Sequence, residues 1–224
     1  MKSIVISLGG SVLLSEDINR VYFKKLESTI KKLSDEYKIF IVAGGGRTAR
    51  TYIRLGRSIG LNEKTLDELG IQATKINAFF LSKLIGIENI KIPCTTDDAI
   101  KMGEKLVIMG GTTPGHSTDM VGAELAEKAN ATKYIIATNV DGIYDSDPNH
   151  NPNAKKFDKI SIKQLIDTYG TKWTDAGKNV VIDGPALKII SRAKIPTFVL
   201  NGKKLDELEN AVFNKKFNGT IIEF

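Results

Sequence analysis

Three glycine-rich turns are the first features of this 224-residue chain that could do chemistry. Gly9-Gly10-Ser11, Gly44-Gly45-Gly46 and Gly110-Gly111-Thr112-Thr113 each follow a short apolar, β-branched run. A turn without side chains lets backbone N–H groups close on an anion, and the start of a following helix adds its positive dipole end. One such turn is ordinary turn chemistry, whereas three after successive strands imply a phosphate-rich site. Gly115-His116-Ser117-Thr118-Asp119 carries more polar groups than a helix cap requires. Thr138 to Pro148 (TNVDGIYDSDP) adds carboxylates and an aromatic ring after another strand-like run, which suits a nucleotide. Asp67, Gly70, Thr74 and Asn77 fall at i, i+3, i+7 and i+10, on one side of a helical pattern. Lys and Glu usually fill solvated helix faces, so a Gly/Thr/Asn stripe suits close approach of a ligand.

Two look-alikes fail on context. Gly44 to Ala49 fits G-x-G-x-x-A after a strand, but a dinucleotide fold next needs a strand ending in an acidic residue about 20 positions on. That region, including Glu63, reads as helix. Gly170 to Asn179 imitates a P-loop, with six residues between its glycines and Asn in place of Ser or Thr.

The elements that must position these turns alternate. Strands are expected at Ser3–Leu8, Lys38–Ala43, Lys105–Met109, Lys133–Thr138, Thr197–Leu200 and Thr220–Phe224. Helices are expected at Val21–Tyr37, from about Arg47, at Asn62–Ile85, and over 119–130, 185–194 and 204–213. In the helix from Asn62, Leu69, Ala73, Ile76, Phe80 and Leu84 form the apolar stripe, with the Asp67 stripe lying away from it. Strands separated by helices predict parallel pairing with right-handed crossovers and helices on both faces of the sheet. The polar stretch from Asp141 to Lys159 reads as a hairpin or lid-like loop.

Composition narrows the class. Hydrophobic residues at 42% and charged residues at 26% describe a soluble globular chain. Thirty-two basic against 26 acidic residues leave +6, without a basic run that would signal nucleic acid. One cysteine, Cys94, excludes an intrachain disulfide, and with two histidines makes a zinc site a poor fit. The apolar segment Ile4–Leu14 is interrupted by Gly9-Gly10-Ser11, and no run approaches the roughly 20 residues that span a bilayer. The expectation is a cytoplasmic protein with neither membrane nor nucleic-acid partners.

Taken together, Ser7–Leu13 (SLGGSVL), Gly44–Arg50 (GGGRTAR), Leu66–Asn77 (LDELGIQATKIN), Ser117-Thr118-Asp119 and Thr138–Pro148 resemble the amino acid kinase superfamily. The motifs stand in that family's order across nearly the whole chain. The Asp67 stripe and the Gly111–Thr118 loop resemble its archaeal-type UMP kinase branch. The resemblance implies a three-layer α/β/α sandwich with a mainly parallel central sheet. It also implies a single domain, with an acceptor lobe over about 1–130 and an ATP lobe over about 131–224. It further implies transfer of phosphate from Mg²⁺-ATP to UMP in pyrimidine nucleotide biosynthesis, commonly by a hexamer. By the same resemblance Gly9, Gly10, Gly46, Arg50, Thr138, Tyr144 and Asp147 belong to the ATP site. Gly45, Asp67, Thr74, Thr112, Thr113, Pro114, Gly115, His116, Ser117 and Thr118 belong to the UMP site, with Asp67 on the ribose. Asp119 and Asp183 match acidic positions that organise the catalytic centre. No protein metal ligand is implied.

One departure stands out. Many members carry Lys where this chain has Ser7, and that Lys stabilises charge on the transferring phosphoryl group. Arg47, Arg50 and Lys188 are the candidates to replace it. Two alternatives remain at this point: another kinase of the same fold, and a nucleotide-binding sensor without turnover, which would bind ATP and UMP but form no ADP.

Overall fold

The computed structural model describes residues 1–87, 91–172 and 181–224. In chain order the elements are β1 (Ser3–Leu8), α1 (Gly10–Leu13), α2 (Arg20–Glu36), β2 (Lys38–Ala43), α3 (Gly46–Ser58) and α4 (Glu63–Leu84). They continue with α5 (Thr96–Lys101), β3 (Leu106–Met109), α6 (Thr118–Lys128), β4 (Lys133–Thr138), β5 (Ile143–Tyr144) and β6 (Lys156–Phe157). The last are β7 (Lys159–Ser161), α7 (Ile162–Tyr169), α8 (Gly184–Ala193), β8 (Thr197–Asn201), α9 (Leu205–Val212) and β9 (Gly219–Glu223).

Among the described residues, seven strands form one sheet in the order β3-β2-β1-β4-β8-β9-β7. Side chains alternate across it. Ile4, Ile6 and Leu8 join one core with α2, α4 and α9, while Val5 points into the other with α6, α7 and α8. Burial on both faces explains why β1, β2 and β4 read as continuous apolar runs. The chemistry of the helix starts is equally local. Asn19, Asn62, Thr95, Ser117 and Asp183 cap α2, α4, α5, α6 and α8, and Ser161 with Gln164 closes a capping box on α7. Because β1, β2, β3, β4 and β8 run parallel, the loops after all five open at one edge of the sheet.

Three expectations need correction. The last strand is not parallel to its neighbour: β9 pairs antiparallel with β8, Gly219 opposite Leu200. Residues 213–218 bring the chain back along α9, where the Asn218 N–H donates to Glu207 in that helix's first turn at 2.7 Å. β9 therefore starts from the edge where β8 ends. Second, α4 buries only part of its apolar stripe, Ala73 fully and Leu84 against the core. Ile76 is 61% and Phe80 42% exposed, while Thr74 and Asn77 are buried. The polar stripe faces the sheet's loops because those loops have carbonyl and N–H groups to satisfy there. Third, α1, α5, β7 and α7 are short elements that were not anticipated. The stretch from Asp141 to Lys159 does contain the hairpin, β5 against β6. The P-loop look-alike runs into residues 173–180, outside the described residues.

A buried lysine holds the end of α9. Lys133, 8% exposed, donates to the carbonyls of Ala211 and Val212 at 2.6 Å each and to Asn214 Oδ1 at 2.7 Å. Its Nζ lies 5.3 Å from the Phe198 ring centroid, and burial pushes its pKa down. Those carbonyls have no partner inside the helix. Lys133→Met is expected to cost about 2–4 kcal/mol in urea unfolding; a loss under about 0.5 kcal/mol would mean that these bonds add nothing net.

Candidate active site

The first two glycine turns touch backbone to backbone. Gly9 N–H donates to Ala137 O, and Gly44 N–H to Leu8 O, both at 2.9 Å. A Cβ built on Gly10 would lie 2.6 Å from the Gly44 carbonyl oxygen, and one on Gly44 would lie 2.5 Å from the Gly10 nitrogen. Gly46, at φ +59°, would drive a Cβ into the Gly10 backbone. α1 and α3 both begin at this contact, so their first N–H groups, which lack intrahelical partners, gather there.

The polar stripe of α4 ties the remaining pieces to this point. Asn77 Nδ2 donates to Gly44 O at 2.7 Å and Gly45 O at 3.3 Å. Thr74 Oγ1 accepts from Gly111 N–H at 2.7 Å while donating to Ile71 O at 2.6 Å. Asp67 Oδ2 accepts from Gly115 N–H at 2.8 Å. Gly115 sits at φ +80° after Pro114, and His116 N–H returns to Thr113 O at 3.2 Å. Pro at the second position and a positive-φ Gly at the third make this a type II turn, which gives the Thr112–Thr118 loop a rigid tip. Thr113 Oγ1 and His116 Nδ1 are 3.1 Å apart.

Two carboxyls lie beneath that loop. Ser117, the N-cap of α6, donates to Asp183, the N-cap of α8. Ser7 donates to Asp119 Oδ1 at 2.6 Å, and Tyr134 donates to the Asp119 carbonyl at 2.8 Å. Burial pushes the Asp119 carboxyl up to about 7; the Ser7 hydroxyl works against that rise and the Asp183 charge adds to it. Burial also raises Asp183, against the bonds from Ser117 and the Ala186 N–H.

Beside the first turn, a cleft of about 340 Å³ is lined by Ser11, Arg50, Thr138, Asn139, Tyr144, Asp147 and Tyr169, among others. Asp147 accepts from Asn149 N–H at 2.8 Å, which lowers its pKa together with neighbouring His150. Arg50, Thr138, Tyr144 and Asp147 thus share one cleft, next to the turn that carries Gly9 and Gly10. Gly45, Asp67, Thr74 and the Thr112–Thr118 loop converge on α4. Asp119 and Asp183 meet between the starts of α6 and α8. Two candidates are not drawn in: Arg47 pairs with Glu16 on the surface, and Lys188 is exposed on α8. Two touching turns of backbone donors at helix starts can hold two phosphates side by side, as phosphoryl transfer requires.

The Amino acid kinase family model matches residues 2–201. The chain belongs to the amino acid kinase family. It is 46% identical to the uridylate kinase of Methanocaldococcus jannaschii over 98% of this chain and 99% of that one. It is 41% identical to the uridylate kinase of Thermoplasma acidophilum, over 99% and 97%. The crystal structure of uridylate kinase from Archaeoglobus fulgidus superposes with a TM-score of 0.87 at 40% identity, covering 100% of both chains. The parallel-sheet sandwich expected from the resemblance is the observed fold.

Sequence reasoning about this kinase fold missed the Ser7–Asp119 bond and the backbone contact between the turns. The signal for the first was the alternation of β1, which puts Ser7 on the Val5 face toward α6. The second leaves no trace beyond the glycines themselves. The carboxyl of Asp119 has a consequence for stability. In the unfolded chain it loses its proton near its ordinary value of 3.8, but in the folded chain near 7. Between those values the folded state keeps the extra proton, so this group makes stability fall as pH rises. Asp119→Asn is expected to gain Tm relative to the parent as pH rises from 4 to 7, with a flat difference above 8; a difference independent of pH in calorimetry at pH 4, 6 and 8 would refute this.

Proposed function

We propose that the protein phosphorylates UMP to UDP with ATP, in pyrimidine nucleotide biosynthesis. The observation that carries this reading is the contact between Gly10 and the Gly44–Gly46 turn. One turn opens on the cleft with Tyr144 and Asp147, and the other opens on the helix and loop that carry Asp67 and Thr112 to Thr118. ATP phosphates against Gly9 and Gly10 and a UMP phosphate on Gly45 would then be neighbours, with Gly46 and Arg50 on the ATP side. In the same reading residues up to about 130 form the acceptor lobe and the rest the ATP lobe, with Gly9, Gly10, Gly46 and Arg50 of the first lobe reaching ATP across the contact. Asp67 offers its second carboxylate oxygen to ribose while the first anchors Gly115. Thr74 would support this site through Gly111, and Thr112, Pro114, His116 and Thr118 would enclose the nucleotide.

Mg²⁺ would enter on the triphosphate. It favours substrate phosphates, water and a few oxygen donors, and Ser11, Thr138 and Asp147 border the cleft with oxygens. It neutralises charge on the transferring group. The acceptor is an ionised phosphate, so no general base is needed. Among Arg47, Arg50 and Lys188, only Arg50 lines the cleft, and it is the best placed to take over the charge role of the missing Lys.

A homo-oligomer, a hexamer in the full reading, fits the surface. α3 buries only Gly56. Tyr52, Leu55, Ile59, Ile76 and Phe79 stand exposed on α3 and α4. Arg54 and Arg57 on α3 are exposed, with Arg57 against Glu63 at the start of α4, so a two-fold axis can surround an apolar centre with charged groups of both signs. Light scattering is expected to give a multiple of 24.5 kDa, and Leu55→Glu with Ile59→Glu to lower it; a monomeric parent would refute the oligomer. No helix among the described residues is long and apolar enough to cross a membrane, in keeping with a cytoplasmic enzyme.

The test of function is ADP release at saturating Mg-ATP with UMP, CMP, acetylglutamate, carbamate and isopentenyl phosphate as acceptors. UMP should be used and the non-nucleotides should not. Uracil and cytosine differ at C4 and N3, and backbone groups held by a type II turn cannot rotate to suit both. Each mismatched buried pair costs about 1–3 kcal/mol. Two mismatches predict a kcat/KM preference for UMP over CMP of roughly 100-fold or more. Binding of both nucleotides without ADP would identify a sensor, and equal use of CMP would reduce the reading to a general pyrimidine monophosphate kinase.

A further inference from the structure

We propose that Asn77 is a positioning residue for phosphoryl transfer, acting through the Gly44–Gly45 turn. The proposal rests on the assignment of the two glycine turns to the two substrates. Asn77 is 3% exposed, and its carboxamide nitrogen reaches the carbonyls of both Gly44 and Gly45. A trans peptide is planar, so the C=O of one residue and the N–H of the next point opposite ways. By drawing both carbonyls toward α4, Asn77 turns the N–H groups of Gly45 and Gly46 away from that helix. These N–H groups stand at the start of α3, where the helix itself offers no acceptor. Contact with Gly10 fixes where the turn sits, and Asn77 fixes which way its donors point.

Neither constraint replaces the other. Glycine carries no side chain to resist rotation of its peptide planes, so a turn of three glycines without Asn77 keeps its place yet loses its orientation. The Gly45 carbonyl also accepts from Ala49 N–H at 3.2 Å, whereas Asn77 is the donor given to Gly44 O. Peptide 44–45, which carries the Gly45 N–H, is therefore the plane most dependent on it. A misdirected Gly45 donor harms the reacting geometry more than it harms ATP binding, because the peptide that carries the Gly46 N–H, on the ATP side, keeps its bond from Ala49. A misplacement of about 1 Å in such a geometry costs on the order of 100-fold in rate.

The experiment compares the parent with Asn77→Ala and with Ser82→Ala. Ser82 is another buried polar residue of α4, and among the described residues its hydroxyl bonds only to the carbonyl of Phe79 in its own helix. Steady-state kcat, ATP and UMP dissociation constants by calorimetry, and Tm are measured for each. Asn77→Ala is expected to lower kcat about 100-fold, to leave ATP affinity within about two-fold, and to weaken UMP by less than its loss in kcat. Ser82→Ala should keep the parent kcat even where its Tm falls. Should Asn77→Ala not fold, Asn77→Ser takes its place, since one short hydroxyl cannot reach both carbonyls, and a loss of at least ten-fold in kcat is expected. A folded Asn77 variant within about three-fold of the parent kcat overturns the proposal, as does a loss confined to ATP binding. A parent that forms no UDP overturns the functional reading itself, a result distinct from an active parent with an active Asn77 variant.

Discussion

The site depends on the approach of two stretches of main chain with nothing between them. Gly10 and the Gly44–Gly46 turn lie so close that a Cβ on Gly10 or Gly44 would sit within about 2.6 Å of the opposing backbone. No other residue type could occupy these places without separating the turns. The separation of the turns is the separation of whatever anions they hold. A reaction between two phosphates needs a fixed distance more than it needs a reactive side chain, because the transition state is loose and the work is positioning and charge stabilisation. The sheet supplies the fixed frame. β1 lies between β2 and β4 in parallel register, so Gly9 and Gly44 emerge from neighbouring strands at the same height.

α4 then does what the sheet cannot. Strands set the height of the loops but not the direction of their peptide planes. Asn77, Thr74 and Asp67 reach the Gly44–Gly45 turn, the Gly110–Gly111 turn and the Gly115 turn from one helix face. Because one helix carries all three, the loops keep a common reference. The cost is visible on the same helix. A face committed to loop backbone cannot also bury Ile76 and Phe80, and these apolar residues are left at the surface.

Much of this was legible in the sequence, for reasons that can be named. Continuous apolar runs identified β1, β2 and β4, the first two ending on glycines, because a strand buried on both faces has no polar alternation to confuse it. The stripe Asp67/Gly70/Thr74/Asn77 was visible as unusual composition on a helix, yet its bonds to loop backbone, and the exposure of Ile76 and Phe80 that goes with them, were not. Periodicity locates faces but does not say which of two faces meets the protein, and here the polar one met unsatisfied backbone groups. The antiparallel β9 was illegible because its direction depends on where residues 213–218 return, not on the pattern of the strand. Short helices such as α5 and α7 rest on single caps, Thr95 and Ser161, that a search for long periodic segments passes over. In the site, the Ser7–Asp119 bond needed the register of β1 against α6, which no local pattern contains.

That bond also answers the question raised by Ser7. A serine brings no charge to set against that of Asp119, and an ionised carboxyl without a compensating cation is costly to bury. Burial therefore favours the protonated form. With its carboxyl pushed up to about 7, Asp119 holds its proton through the acidic and near-neutral range and shares it near pH 7. A serine beside a protonated carboxyl is neutral, as a lysine beside a carboxylate is neutral. In the proposed reaction a serine cannot supply the direct attraction of a Lys for the transferring group, and that part would fall to the helix starts at Gly10 and Gly46, to Arg50 at the cleft, and to the Mg²⁺ that ATP would bring.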